Sequence, residues 1–167
     1  MAAILLSALA LATQAPAAPS APPPPPACAA PEHHQFDFWV GRWDVYPTGT
    51  ERLVAHSLIE RLYGDWVIRE SWMPLRGGGG SSLNAWRPGE RRWRQLWADS
   101  ANSWAEFSGG LDGAAMVLIA GEGPTRSRMT YSRQPAGAVR QLVEQSTDGG
   151  ATWTAQYDFT YRPAASR

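Results

Sequence analysis

From Glu32 to its end the chain alternates apolar and polar residues at a period of two, and short turns bearing glycine or proline keep interrupting the pattern. That rhythm constrains the fold more than any other feature, because strands send successive side chains to opposite faces whereas a helix needs a period near 3.6. Only a short opening turn around 34–38 departs from it. The alternation predicts strands at 40–46, 52–62, 66–73, 82–86, 92–99, 103–108, 115–121, 126–133, 139–146 and 152–162. The turns carry suitable chemistry: Tyr63-Gly64-Asp65, Arg87-Pro88-Gly89, Leu111-Asp112-Gly113, Pro135-Ala136-Gly137 and Asp148-Gly149-Gly150 each hold residues that accept positive φ or pre-set a bend. About ten short strands in up-and-down order, with no helix-length segment between them, fit a sandwich or a closed meander. Closure removes the edges that such tryptophan-rich strands would otherwise expose. The expectation is therefore an all-β, antiparallel up-and-down barrel with a short N-terminal helical turn.

The alternation also assigns faces. In 152–162 the residues Trp153, Ala155, Tyr157, Phe159 and Tyr161 share one side, with Thr152, Thr154, Gln156, Asp158 and Thr160 opposite. The same logic puts Trp66, Ile68, Glu70 and Trp72 together, then Trp93, Gln95, Trp97 and Asp99, then Trp104 and Glu106, then Val139, Gln141, Val143 and Gln145. If the aromatic faces point inward, so do Glu70, Gln95, Asp99, Glu106, Gln141 and Gln145. A sealed core rejects such groups, since an unpaired buried carboxylate is costly, whereas a water-accessible calyx tolerates them. One β-bulge would reverse the parity of any single strand.

The N-terminal part reads differently. Residues 2–12 form an apolar run of signal-peptide length, too short to span a bilayer, and Ala15-Pro16-Ala17 supplies an A-x-A cleavage pattern. No Lys or Arg precedes the run, so either the signal is atypical or the true start lies upstream. We expect a signal peptide at 1–17, a proline-rich spacer at 18–31 with five consecutive prolines at 22–26, the barrel at 32–163 and a short tail at 164–167. The expected location is the periplasm or the medium. Cys28 is the only cysteine, which excludes an intrachain disulfide. Pro25 stands where a lipobox wants Leu, so a free thiol is expected rather than a lipidated one.

With 167 residues there is room for one core. A formal charge of +0 argues against nucleic acid or an anionic membrane as partner. All 15 basic residues are Arg, which excludes Schiff-base chemistry and a P-loop lysine. The 9 Trp suggest an aromatic-lined interior or a binding surface.

The opening Phe36-Asp37-Phe38-Trp39-Val40-Gly41-Arg42-Trp43-Asp44-Val45 carries a resemblance. Gly41-x-Trp43 resembles the G-x-W signature of lipocalins and related calycins. The wider opening is similar to bacterial domain-of-unknown-function families built on a lipocalin-like barrel. The likeness continues through Glu70-Ser71-Trp72, the segment 93–100 and the segment 140–146, covering most of 32–163. It implies that Gly41 and Trp43 are structural, with Trp43 plugging the closed end of the barrel, and that an Arg near the last strand packs across it by cation–π stacking; Arg162 is the candidate. Many members pair an N-terminal cysteine with one before the third strand. Asp65-Trp66 stands there in this chain, so the bridge is absent.

Other motifs carry little chemistry. Residues 146–153 match the Asp-box S-x-D-x-G-x-T-W of sialidase-type propellers, but a propeller needs several blades of about 40 residues, and we read the motif as a self-bonded hairpin. His33 and His34 are expected to be solvated and His56 to be a satisfied barrel histidine. The histidines and the cysteine lack metal-ligand spacing, no cofactor is implied, and no Ser-His-Asp set can be argued from order alone. Glu70 and Glu106 offer a glycosidase-like acid pair only if they converge. The leading expectation is a barrel that binds a small amphipathic or polar ligand against Trp72, Trp97 and Trp104, with Glu70, Gln95, Glu106 and Gln141 as polar contacts. A filled barrel with an envelope-structural or interaction role, and a hydrolase or isomerase using inward carboxylates, remain as alternatives.

Overall fold

The structure, a computed structural model, describes residues 30–165. The expected signal peptide, most of the spacer and Cys28 lie outside the described residues. Regular structure runs from 31 to 163. Two 3-10 turns, Pro31–His34 and Asp37–Trp39, precede ten strands: β1 Gly41–Pro47, β2 Ala55–Leu62, β3 Val67–Pro74, β4 Gly80–Arg87, β5 Arg92–Asp99, β6 Trp104–Asp112, β7 Ala115–Ala120, β8 Arg126–Arg133, β9 Val139–Ser146 and β10 Thr154–Pro163. A third such turn, Pro135–Gly137, joins β8 to β9.

Every strand pairs antiparallel with its sequence neighbours, and β1 also pairs with β10, so the sheet closes on itself. The all-β, ten-stranded up-and-down barrel expected from the alternation is the observed fold. Closure leaves no edge for another chain to extend. The outer face carries cross-strand ion pairs, such as Glu60 with Arg69 and Arg128 with Glu144.

One end of the barrel is stoppered. Phe36 and Trp39, from the N-terminal turns, are fully buried and stack with ring centroids 4.9 Å apart. Tyr131 of β8 meets both rings, at 4.9 and 4.7 Å. Trp43 closes the same end, its indole N–H donating to the Trp39 carbonyl at 2.9 Å, while the Trp93 indole donates to Gln35 at 3.1 Å. Gly41 makes this seat possible. Its φ of 151° is one that side chains rarely adopt, and a Cβ there would lie 3.4 Å from the Trp43 ring. The Trp39 indole N–H has no hydrogen-bond partner among the described residues. Leaving that donor unmade costs about 1–3 kcal/mol, less than the 3–5 kcal/mol or so that a fully buried large aromatic is typically worth.

Three expectations change. Arg162 does not cross Trp43. It follows Tyr161, which points inward, so it lies on the outer face, stacked on Tyr46 at 4.4 Å and paired bidentately with Glu51. The cation that does cover an aromatic ring of the N-terminal turns is Arg133, 4.5 Å from the Phe38 ring centroid. His33 is buried rather than solvated, its ring edge-on to Trp66 at 4.8 Å. His56 does have a partner, Asp44 at 2.7 Å, but it sits half-exposed on the outer face.

Candidate functional site

Inward positions of seven strands build a polar layer across the middle of the barrel: Ser57 on β2, Glu70 on β3, Ser82 and Asn84 on β4, Gln95 on β5, Tyr131 on β8, Gln141 on β9 and Tyr161 on β10. All are buried. On the closed side of this layer lie Ile68, Trp93 and Val139, one inward position further along their strands. On the other side lie Trp72, Trp97, Val143 and Phe159, which line a cavity of about 440 Å³ together with Glu70, Gln95, Gln141 and both buried tyrosines. The polar layer is therefore the cavity floor.

The floor is a closed hydrogen-bonded circuit. Tyr161 Oη lies 3.3 Å from Glu70 Oε1 and 2.8 Å from Gln141 Oε1. The Gln141 amide donates to the Tyr131 hydroxyl at 3.0 Å, and the Gln95 amide donates to the same oxygen at 3.3 Å. Gln95 also donates to Asn84 Oδ1 at 2.7 Å, Asn84 to Ser82 at 3.0 Å, and Ser82 to Glu70 Oε2 at 3.3 Å. Ser57 donates to Glu70 Oε1 at 2.9 Å from the side. Such a circuit, with every donor engaged, specifies one arrangement of the strands around it.

The geometry orients the amides. The Asn84 side chain meets the Ile68 backbone carbonyl at 3.1 Å, and since a carbonyl only accepts, the group there must be the Asn84 NH2. Asn84 Oδ1 then faces Gln95, which must present its own NH2. The Gln95 carbonyl oxygen is left without a hydrogen-bond partner among the described residues, on a side chain only 3% exposed that lines the cavity.

Burial pushes the Glu70 carboxyl up to about 7, against the pull of hydrogen bonds from Ser57, Tyr161 and Ser82. Burial, and then the charge of Glu70, raises both tyrosines well above the ordinary phenol, so both stay protonated. A hydroxyl has one proton, yet Tyr161 faces two acceptors. Protonated Glu70 resolves the conflict, donating to Tyr161 while Tyr161 donates to Gln141. The Tyr131 proton goes to the Met129 sulfur at 2.7 Å.

Of the residues expected at the site, Glu70, Trp72, Gln95, Trp97 and Gln141 line this one cavity. Trp104 and Glu106 do not. Trp104 is 67% exposed and Glu106 is exposed beside it on the outer face. The register explains the reversal: Gln95 pairs with Phe107 and Trp97 with Ala105, and paired residues share a face, so β6 turns Ala105 and Phe107 inward. The acid pair of Glu70 and Glu106 is therefore not assembled. Gln145 is exposed at the end of β9. Asp99 does reach the cavity, but its oxygens are occupied, Oδ1 by the amides of Ala101 and Ser103 and Oδ2 by the Trp97 indole. These bonds, the Ser103 amide first, hold its carboxyl below the usual range.

Alternation did not reveal Ser57, Ser82, Asn84 and Tyr131, because small polar residues and a lone tyrosine give no contrast at period two. On β10 a bulge between Ala155 and Tyr157 shifts the register, keeping Tyr157, Phe159 and Tyr161 inward while Ala155 turns out opposite Glu144. The Asp-box segment is a self-bonded turn at the open end. Asp148 accepts from Ser146 at 2.7 Å and from the Thr152 amide and hydroxyl at 2.9 and 2.6 Å, and the Trp153 indole donates to the Gly150 carbonyl at 3.0 Å.

No protein-family model matches the chain, and no curated protein matches it either. The cavity is what bears on its function.

Proposed function

We propose that the protein is an exported binding barrel of lipocalin-like type, which holds a small amphipathic molecule in the calyx above Glu70. One observation carries the reading: a cavity of about 440 Å³ stands open over the polar layer instead of being filled by side chains. Its walls, Trp72, Trp97, Phe107 and Phe159, are aromatic, while its polar groups are few and converge on the floor. Small-molecule sites have this composition, with an apolar wall for affinity and a few fixed polar groups for orientation. The plug of Phe36, Trp39 and Trp43 closes the far end, so a ligand enters and leaves on the side of Trp97 and Tyr157. The apolar run at 2–12 and the A-x-A pattern at 15–17 support export.

Native mass spectrometry of the protein purified from its own host tests the reading. A retained small molecule, and saturable quenching of tryptophan fluorescence when it is added back, is the expected result. A protein that carries nothing and shows no saturable quenching with apolar and amphipathic compounds is a filled or purely structural barrel. Fusing residues 1–31 to a phosphatase that is active only outside the cytoplasm tests export separately.

A further inference from the structure

We infer that the calyx selects ligands that enter with a hydrogen-bond donor, foremost a protonated amine on a flat apolar body, and rejects carboxylate amphiphiles. The inference rests on the binding reading above and names its ligand class.

The donors of the floor are engaged within it. The Asn84 NH2 serves Ile68 and Ser82; the Gln95 NH2 serves Asn84 and Tyr131; the Gln141 NH2 serves Tyr131 and the Met129 sulfur. The hydroxyl protons of Ser57, Ser82, Tyr131 and Tyr161 are directed within the same layer. What the floor still offers is acceptor capacity: the unpaired Gln95 carbonyl oxygen and the remaining lone pairs of Glu70.

Charge points the same way. Among the described residues lining the cavity there is no Arg and no His, and the ionisable acids are Glu70 and Asp99. A ligand carboxylate beside Glu70 would meet no cation and no free donor of the floor, and burying an unpaired charge is prohibitive. The lining donors without a partner among the described residues, the Trp72 indole N–H and the Tyr157 hydroxyl, belong to the walls above it. An ammonium group meets the Gln95 carbonyl and Glu70, and its field favours the ionised carboxylate. The walls suit such a ligand as well. Phe159 lies 5.7 Å from Trp72 and 6.0 Å from Tyr157, which stacks on it, so π faces flank the route to the floor.

Calorimetry on the full chain at about pH 8, where Glu70 is largely ionised, tests this with probes that share one body: 1-naphthylmethylamine, 1-naphthalenemethanol and 1-naphthoate. We expect the amine to bind at least about tenfold tighter than the alcohol, the worth of one charge-assisted hydrogen bond, and the carboxylate to bind most weakly. In Glu70→Gln the ratio of amine to alcohol affinity should fall about tenfold, toward one, with near-ultraviolet circular dichroism reporting that the barrel is intact. Naphthoate binding as tightly as the amine overturns the inference and leaves the binding reading standing, and that comparison needs only the unmodified protein. If none of the probes binds, the binding reading and the inference fall together.

Discussion

Replacing Glu70 with glutamine removes a buried acid without changing its shape, and the consequence for stability has a definite sign. The Glu70 carboxyl stands at about 7 in the folded protein against 4.5 for an ordinary glutamate. That difference corresponds to about 3 kcal/mol of preference for the protonated form. The folded state therefore holds this proton more tightly than the unfolded chain does. Its contribution is fully present below about pH 4.5, declines as pH rises through the window to about 7, and is gone above it. Other acids move the opposite way, for example Asp158, held down by Arg140, so the pH profile of the unmodified protein alone is ambiguous. The difference between Glu70→Gln and the unmodified protein is not ambiguous, because every other group cancels. A glutamine at 70 keeps an oxygen for Ser82 and a nitrogen that donates to Tyr161, as the protonated acid does. That nitrogen replaces the oxygen that accepts from Ser57, whose hydroxyl loses its acceptor at every pH alike. Relative to the parent, the variant should gain up to about 3 kcal/mol in urea unfolding between pH 4.5 and pH 8, a change in the midpoint difference of roughly 1–2 M urea, on top of a pH-independent loss for the Ser57 bond. Parallel stabilities for the two proteins across that window would refute the placement of an uncompensated carboxyl in the floor.

Other substitutions probe the same geometry. Trp97→Ala, which strips one cavity wall, should weaken binding of the naphthylmethylamine probe by about tenfold or more, whereas Trp104→Ala on the outer face should leave it unchanged; calorimetry distinguishes them. Gly109→Ala should destabilise the barrel by about 1–3 kcal/mol or more, because a Cβ there would lie 2.0 Å from the Val117 carbonyl oxygen; thermal unfolding reads the loss. Asp148→Ala should speed hydrogen exchange at the Thr152 amide while leaving amides of the barrel wall protected, since its bonds stay within the turn.

Much of the fold was legible because strands and turns are local. Period-two alternation over 126–133 and 139–146 predicted β8 and β9 to the residue, and the glycines and prolines between runs marked the bends. The inward faces of β3, β5 and β9 were legible for the same reason, and with them Glu70, Trp72, Gln95, Trp97 and Gln141. The face of β6 was not. Trp104 outweighs Phe107 as a hydrophobic signal, yet the pairing of Phe107 with Gln95 decides the matter. Arg162 failed similarly: a resemblance supplied its partner, but parity beside Tyr161 sends it outward.

The sequence by itself determined that this chain makes about ten short strands in up-and-down order with polar groups on aromatic faces, since both follow from neighbours one and two residues apart. Only tertiary structure decided that those groups join into one circuit. Glu70 and Tyr161 meet across 91 positions, and their contact exists only because β1 closes on β10. Closure also converts a line of separate polar residues into a floor whose donors are all consumed, leaving the Gln95 carbonyl oxygen without a partner among the described residues. Hydrogen bonding is directional and burial is collective, so neither can be read from one strand at a time.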